Sequence, residues 1–400
     1  MSFLAPAGTV MSLAEIGRGF ARGTMADTRP ALEAELRRRT GLPHAWPIAS
    51  GRAAMTLILE SLRKVANDPR RDEVLVPAYT CYSVPASIAR AGLKFRLVDV
   101  DPRTLGMDPQ ALDKADFSRA LAVVTSNLYG IPNDLPAIEG IAKARGIFMV
   151  DDSAQSFGAR VGGRAVGAFG DAGLYSFDKG KVICTIQGGA IVCRDERVAR
   201  AIGGAMDALP ASTLAETFGN CLKLPIYSVC LRPALYGAIR SLPFLGLGKT
   251  MYEERYPIAT LSAPQMGVAI ELLRRLERIA ADRRAKAARL RAALDGLSGI
   301  ELPAIAPDAE PAWVRFPLRV MDASKRDAVV AAIDAAGIGA TVSYPLALCD
   351  VPEVASRLRT PEPMPGARLV ASQIVTLPTH GFCPEGYEHR VRAAVHGAAP

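Results

Sequence analysis

VDDSAQSFGARVGGRAVGAFGDAGLYSFDKGKVICTIQGGAIV, residues 150–192, is the stretch on which the reading of this chain turns. It leaves an apolar run at an acidic pair, Asp151-Asp152, crosses a glycine-rich segment, and returns to a short apolar run ending in Ser176-Phe177. Two lysines, Lys179 and Lys181, follow before the next run, GAIVC at 189–193. Upstream the same rhythm recurs: EVLVP (73–77), KFRLVDV (94–100), ALAVVTS (120–126) and IFMVDD (147–152) are β-branched runs separated by helix-period stretches. Strands spaced by helices predict a largely parallel sheet covered on both faces, a doubly wound α/β fold. Ligands of such sheets sit beyond the carboxyl ends of the strands, so the residues just after each run become the ones to inspect.

The rest of the chain bounds this reading. Its 400 residues are 50% hydrophobic and 22% charged, the balance of an ordered globular protein large enough for two cores. A large domain over 1–260 and a bridging helix with a smaller α+β domain over 261–400 are expected. The formal charge is +8, but the arginines are spread along amphipathic helices such as 271–295, and no nucleic-acid patch stands out. The seven cysteines form no C-x-x-C, so neither a disulfide framework nor a zinc site is expected, and a reducing, cytoplasmic setting follows. MSFLAPAGTVMSL lacks the basic start and cleavage pattern of a secretion signal.

Residues 206–258 break the strand-helix alternation with an apolar segment cut by Lys223, Pro225, Arg232, Pro233, Arg240 and Pro243. It is too interrupted to span a bilayer. Burial of its apolar face on the domain or on a partner subunit is the expectation, with peripheral membrane contact through 218–250 as the rival. Residues 263–297 read as one or two long amphipathic helices with Pro264 in the first turn. Beyond them WVRFPLRV (313–320), a helix from Lys325 to Ala336 stopped by Gly337, and ATVSYP (340–345) outline the smaller domain.

On the Asp151-Asp152-Ser153-Ala154-Gln155 run and on Ser176-Phe177 with a lysine five positions after the serine, the chain resembles the DegT/DnrJ/EryC1/StrS family of sugar aminotransferases. The resemblance covers 30–205 and 262–395. It implies fold type I with a seven-stranded central sheet, pyridoxal 5'-phosphate as cofactor, and Lys181 holding it as a Schiff base. Asp152 would face the pyridine nitrogen, where a fixed carboxylate keeps the ring protonated and electron-withdrawing. Gln155 would bond the ring hydroxyl and Ser176 the phosphate. A lysine is needed because only a primary amine forms the imine and can then shuttle a proton; Lys179 is the nearby rival.

Ala49-Ser50-Gly51-Arg52-Ala53-Ala54 opens a helix, and free N–H groups at a helix start seat phosphate. The run resembles the family's Ser-Gly-Thr-Ala-Ala loop with Arg52 in place of threonine, so Ser50, Gly51, Arg52 and Ala53 are the expected phosphate seat. The family's cross-subunit asparagine has no counterpart in 251–266, and Arg52 is expected to compensate in part. At the position of the family's stacking aromatic stands Cys81, flanked by Tyr79 and Tyr82, either of which would cover the ring, Tyr82 being the residue carried forward. Asn127-Leu128-Tyr129-Gly130 matches a further family loop, and Ser343-Tyr344-Pro345 stands where members often have a histidine before the tyrosine.

The implied activity is a ping-pong transamination from glutamate to a keto sugar, commonly nucleotide-linked, in a homodimer. A cofactor-dependent sugar dehydratase is the neighbouring alternative, but such relatives carry histidine where this chain has Lys181. A non-catalytic scaffold is the other, and the intact lysine and aspartate weigh against it.

Overall fold

The computed structural model describes residues 2–239, 252–358 and 363–399. Helix α1 (Leu13–Gly23) precedes strand β1 (His44–Ile48), and helix α2 (Gly51–Ala66) follows it. The central strands are β2 (Glu73–Pro77), β3 (Lys94–Val98), β4 (Ala120–Ser126), β5 (Phe148–Asp152), β6 (Ala172–Ser176) and β7 (Gly189–Cys193). Helix α3 (Leu214–Cys230) leads to the paired helices α4 (Ala263–Leu273) and α5 (Leu276–Leu294). Strand β8 (Ile300–Glu301), strand β9 (Arg315–Val320), helix α6 (Arg326–Ala335) and strand β10 (Ile374–Pro378) form the C-terminal part.

The main sheet has seven strands in the order β1-β7-β6-β5-β4-β2-β3. From β3 to β6 the neighbours are parallel, while β7 is antiparallel to both β6 and β1. Two reversals restore direction, so β1 points the same way as β4, β5 and β6, and their carboxyl ends share one edge. Ile48 and Ser176 both pair with Gly189, and Ser126 pairs with Asp152, which sets the register of that edge. Every residue of β2, β4, β6 and β7 is buried, which is why these strands read as continuous apolar runs. Each fully buried Val, Leu or Ile contributes roughly 1.5–3 kcal/mol, enough to fix these strands against the polar turns between them.

The 263–297 region is two helices, broken at Arg274-Arg275, and Gly337 ends α6 with φ of +75° as expected. β9 lies between β8 and β10 in a separate three-stranded antiparallel sheet. Buried Arg283 on α5 ties this sheet to the N-terminal segment by donating to the carbonyls of Val314 and Gly8, at 3.0 and 2.7 Å, and to Thr379 Oγ1 at 3.0 Å. In ATVSYP, Thr341 bridges to Thr376 and Ser343 has φ of +52°, which turns the chain out of the ladder. Of the two surfaces expected to cover the insertion, the domain and a partner subunit, the apolar row of α3 does not use the first: Leu214, Phe218, Leu222 and Ile226, spaced by four on one face, are exposed by 88, 72, 53 and 52%. What it buries instead is Asn220, Leu224 and Ser228. No described helix is long and apolar enough to cross a membrane. The part of the 218–250 surface from 240 onward lies outside the described residues.

Candidate active site

The acidic pair at the end of β5 divides its labour because successive strand side chains point to opposite faces. Asp151 is fully buried and structural: its carboxylate accepts from Asn127 Nδ2 at 2.7 Å, Gly167 N at 2.6 Å and Thr125 Oγ1 at 3.2 Å. Those bonds hold the glycine-rich crossover against the strand edge. Asp152 is also buried, but among the described residues its carboxylate accepts one hydrogen bond, from Ala154 N at 2.9 Å. Burial pushes its carboxyl up to about 6, opposed by that bond and by the Lys181 ammonium, whose field reaches it. An aspartate so poor in donors, with a lysine facing it, has room for one more cationic or N–H partner.

Lys181 sits in the loop after β6, half-buried, whereas Lys179 is exposed. Gly180 between them has φ of +77°, a conformation that favours glycine and turns the two lysines apart. The lysine loop is propped from outside: Thr9 Oγ1 donates to the Lys181 carbonyl at 2.6 Å, and Thr9 N donates to Tyr227 Oη on α3 at 3.1 Å. The inserted helix therefore reaches the lysine loop through the N-terminal segment.

Ser50 caps α2, its Oγ accepting from Ala53 N at 3.1 Å. A Cβ on Gly51 would stand 3.0 Å from Ser176 Cβ, so the helix start and the end of β6 touch and only glycine fits between them. First-turn amides have no intrahelical acceptor, and here they meet a serine hydroxyl at the strand edge, which is the donor set a phosphate requires. A small cleft adjoins this point, lined among others by Ser50, Arg52, Gln187, Glu216, Asn220 and Tyr256. Arg52 is not a free cation in it: Nη1 donates to Glu253 Oε2 at 2.7 Å and the guanidinium lies 4.7 Å over the Tyr256 ring.

Gln155 accepts from Tyr129 N at 2.9 Å and donates from Nε2 to Tyr344 Oη at 3.0 Å. Tyr82 packs against Tyr344 with ring centroids 5.8 Å apart, and its hydroxyl is tied both ways to the Leu346 backbone, donating at 3.2 Å and accepting at 3.1 Å. Tyr79 is fully buried with its hydroxyl 3.1 Å from that of Tyr129, and burial drives its phenol well above the ordinary range. Cys81, between them, is partly exposed. The fold thus brings Lys181 within electrostatic reach of Asp152 and Gly51 against Ser176, and it places Gln155 between Tyr129 and Tyr344. Lys181, Asp152 and Gln155 do not line the cleft that holds Ser50 and Arg52.

Two residues escaped the sequence reading. Asn220, buried on α3, enters the cleft from the insertion, its amide donating to Gln187 Oε1 at 3.4 Å. Arg315, at the start of β9, comes to the lysine loop: its Nη2 is 4.0 Å from where a Cβ on Gly180 would lie. An asparagine on the face of the helix opposite its apolar row was the available signal for the first, and an arginine inside the apolar run WVRFPLRV for the second.

A model of the DegT/DnrJ/EryC1/StrS aminotransferase family matches residues 19–208 and 234–396, leaving out 209–233, the stretch that holds α3. The match resumes earlier than the 262 expected from the sequence. The chain is 29% identical over 347 residues, 86% of its length and 80% of the relative's, to a dTDP-3-amino-3,4,6-trideoxy-alpha-D-glucose transaminase of Streptomyces venezuelae. It is 27% identical, covering 89% of this chain and 85% of the relative, to a pleiotropic regulatory protein of Geobacillus stearothermophilus. Among solved structures, S. venezuelae DesV in complex with ketimine intermediate superposes with a TM-score of 0.78 at 25% identity, covering 99% of both chains.

Proposed function

The chain belongs to the DegT/DnrJ/EryC1/StrS aminotransferase family and is a pyridoxal-phosphate-dependent transaminase, and from that premise we propose that it moves an amino group from glutamate to a keto sugar carried on a nucleotide. The observation that carries the site assignment is the buried, donor-poor Asp152 carboxyl within the field of Lys181. The cofactor, when bound, supplies a ring that withdraws electrons from the substrate's reacting carbon.

The chain's own residues do the rest. Lys181 Nζ is the covalent attachment point and, once released, the base that takes the Cα proton of the donor and returns a proton one atom away. Asp152 Oδ, buried at the end of β5, would hold a proton on the ring nitrogen as a fixed anion. Ser176 Oγ and the Gly51 and Arg52 amides hold the phosphate, with Ala53 N left to Ser50. Gln155 keeps the ring edge in register through the Tyr129–Tyr344 frame, and Tyr82 buttresses Tyr344.

Arg52 and Asn220 are two candidates for the contact that 251–266 cannot supply. Because Glu253 already takes up the Arg52 charge, Arg52→Thr is expected to weaken cofactor binding by only about three- to tenfold, the ~1 kcal/mol scale of a partly exposed ion. Titration of apoprotein with pyridoxal phosphate checks this, and an unchanged Kd would leave Asn220 alone in that role.

The function itself is tested by mixing cofactor-loaded protein with L-glutamate. Loss of the visible cofactor band with release of 2-oxoglutarate in proportion to protein is the expected result, followed by recovery of the band on adding the right keto-sugar nucleotide. A spectrum unmoved by L-glutamate, alongside intact cofactor binding, would remove glutamate as donor; failure with every keto-sugar nucleotide would remove the acceptor class.

A further inference from the structure

Arg315 and Arg319 lie four residues apart on β9, on the same face, yet they are treated differently. Arg319 is buried and saturated by Glu301 and Gln373. Arg315 is half-buried, and among the described residues no carboxylate lies within ion-pair distance of it. What holds it is neutral: Nη1 donates to Thr341 Oγ1 at 3.1 Å and towards Ser343 Oγ at 3.4 Å. Hydroxyls orient a guanidinium without neutralising it, and a half-buried, oriented, uncompensated fork is built for an anion. Nη2 has no recorded acceptor and borders Gly180, one residue from Lys181. The same charge reaches the hydroxyls of Tyr129 and Tyr344, the pair that frames Gln155, so Arg315 faces the reaction side of the site. The turn at Ser343, with its φ of +52°, places that hydroxyl under the guanidinium and explains what the serine does in Ser343-Tyr344-Pro345.

We propose that Arg315 is the recognition residue for the α-carboxylate of the amino donor, a specificity role that rests on the transaminase reading given above. The α-carboxylate is singled out over a distal one because the carbon that bears it also bears the amine, and Lys181 must reach that carbon while Nη2 stands beside its loop. Thr341 and Ser343 are positioning residues that fix the fork.

The test uses cofactor-loaded protein and three probes: L-glutamate, 4-aminobutanoate, which keeps the amine and the distal carboxylate but lacks the α-carboxylate, and glutarate, which cannot react. Arg315→Gln is expected to raise the half-saturating L-glutamate concentration and the calorimetric Kd of glutarate by about tenfold or more, the scale of a lost charge-assisted bond, with the response to 4-aminobutanoate unchanged. Arg315→Lys, which keeps the charge and loses the fork, is expected to fall between. An equal loss with L-glutamate and 4-aminobutanoate, or a glutarate Kd the same as wild type in a variant that still binds cofactor, overturns the proposal. If wild-type protein itself fails to respond to L-glutamate, the transaminase half-reaction with that donor is what falls, and glutarate binding still reports on Arg315.

Discussion

Lys181→Ala is expected to abolish amino transfer, by at least about 10⁴-fold in single-turnover rate, while the protein still folds and still binds pyridoxal phosphate through Ser176 Oγ and the Gly51 and Arg52 amides. General acid–base catalysis alone accounts for roughly 10²–10⁴, and the variant loses covalent attachment as well. The fold should survive because the loop is held by backbone and neighbouring groups: Thr9 Oγ1 bonds the residue 181 carbonyl, and Thr185 N bonds the Phe177 carbonyl at 2.8 Å, neither of which needs the lysine side chain. Borohydride reduction followed by peptide mass mapping gives the decisive readout. The cofactor mass should appear on the peptide containing residue 181 in wild type and nowhere in the variant. Lys179→Ala, at an exposed position that is turned away by Gly180, should keep both the label and the rate. A label that moves to residue 179, or a Lys181→Ala variant that keeps turning over, would reassign the chemistry.

The preference for Lys181 over Lys179 rests on spacing, and the fold shows what that spacing spans. Asp152 ends β5 and pairs with Leu174 in the parallel ladder; Ser176 ends β6 at the same edge, and a loop of a few residues then returns to that edge. The offset 181 − 152 = 29 is the length of one crossover through the glycine-rich segment plus that loop. The strands were equally legible, since burial on both faces leaves unbroken apolar runs. Strand β1 was not, because HAWPI carries Pro47, which argues against a strand interior; β1 is an edge strand, where a missing N–H is tolerated.

The residues that escaped did so for a related reason. Arg315 reaches the lysine loop from a different sheet, 134 positions downstream of Lys181 (315 − 181), and no local period connects the two. Asn220 lies in a segment whose sequence is dominated by its apolar row, and its burial depends on which face of α3 turns inward. Of the two acids at 151 and 152, the resemblance singled out Asp152 without a reason for Asp151; strand alternation and the donors from Asn127 and Gly167 give Asp151 its structural part. Contacts across long chain separations, and the choice between two faces, are what a linear pattern carries least well.

Asp152 illustrates how far function and stability are opposed here, and Asp152→Asn is expected to move them in opposite directions. The carboxyl titrates near 6 in the folded chain against an ordinary value of 3.8. Below about pH 4 the folded and unfolded states both hold the proton and the group costs nothing. Between about 4 and 6 the folded state keeps a proton that the unfolded state has released, so stability falls as pH rises; above 6 the folded chain carries the buried charge at a cost of about 3 kcal/mol. Asparagine can keep the bond from Ala154 N and carries no charge, so the cofactor-free variant should be more stable than wild type at pH 7.5 and equal to it near pH 4, read as Tm at both values. Adding cofactor should reverse the order, because the wild-type carboxylate then meets a cationic ring nitrogen and the amide does not. Amino transfer should fall by about 10³-fold or more for the same reason, since an amide cannot keep that nitrogen protonated. A cofactor-free variant no more stable than wild type at pH 7.5 would mean that the Asp152 carboxyl is already compensated within the chain, and the argument that it waits for the ring would fail with it.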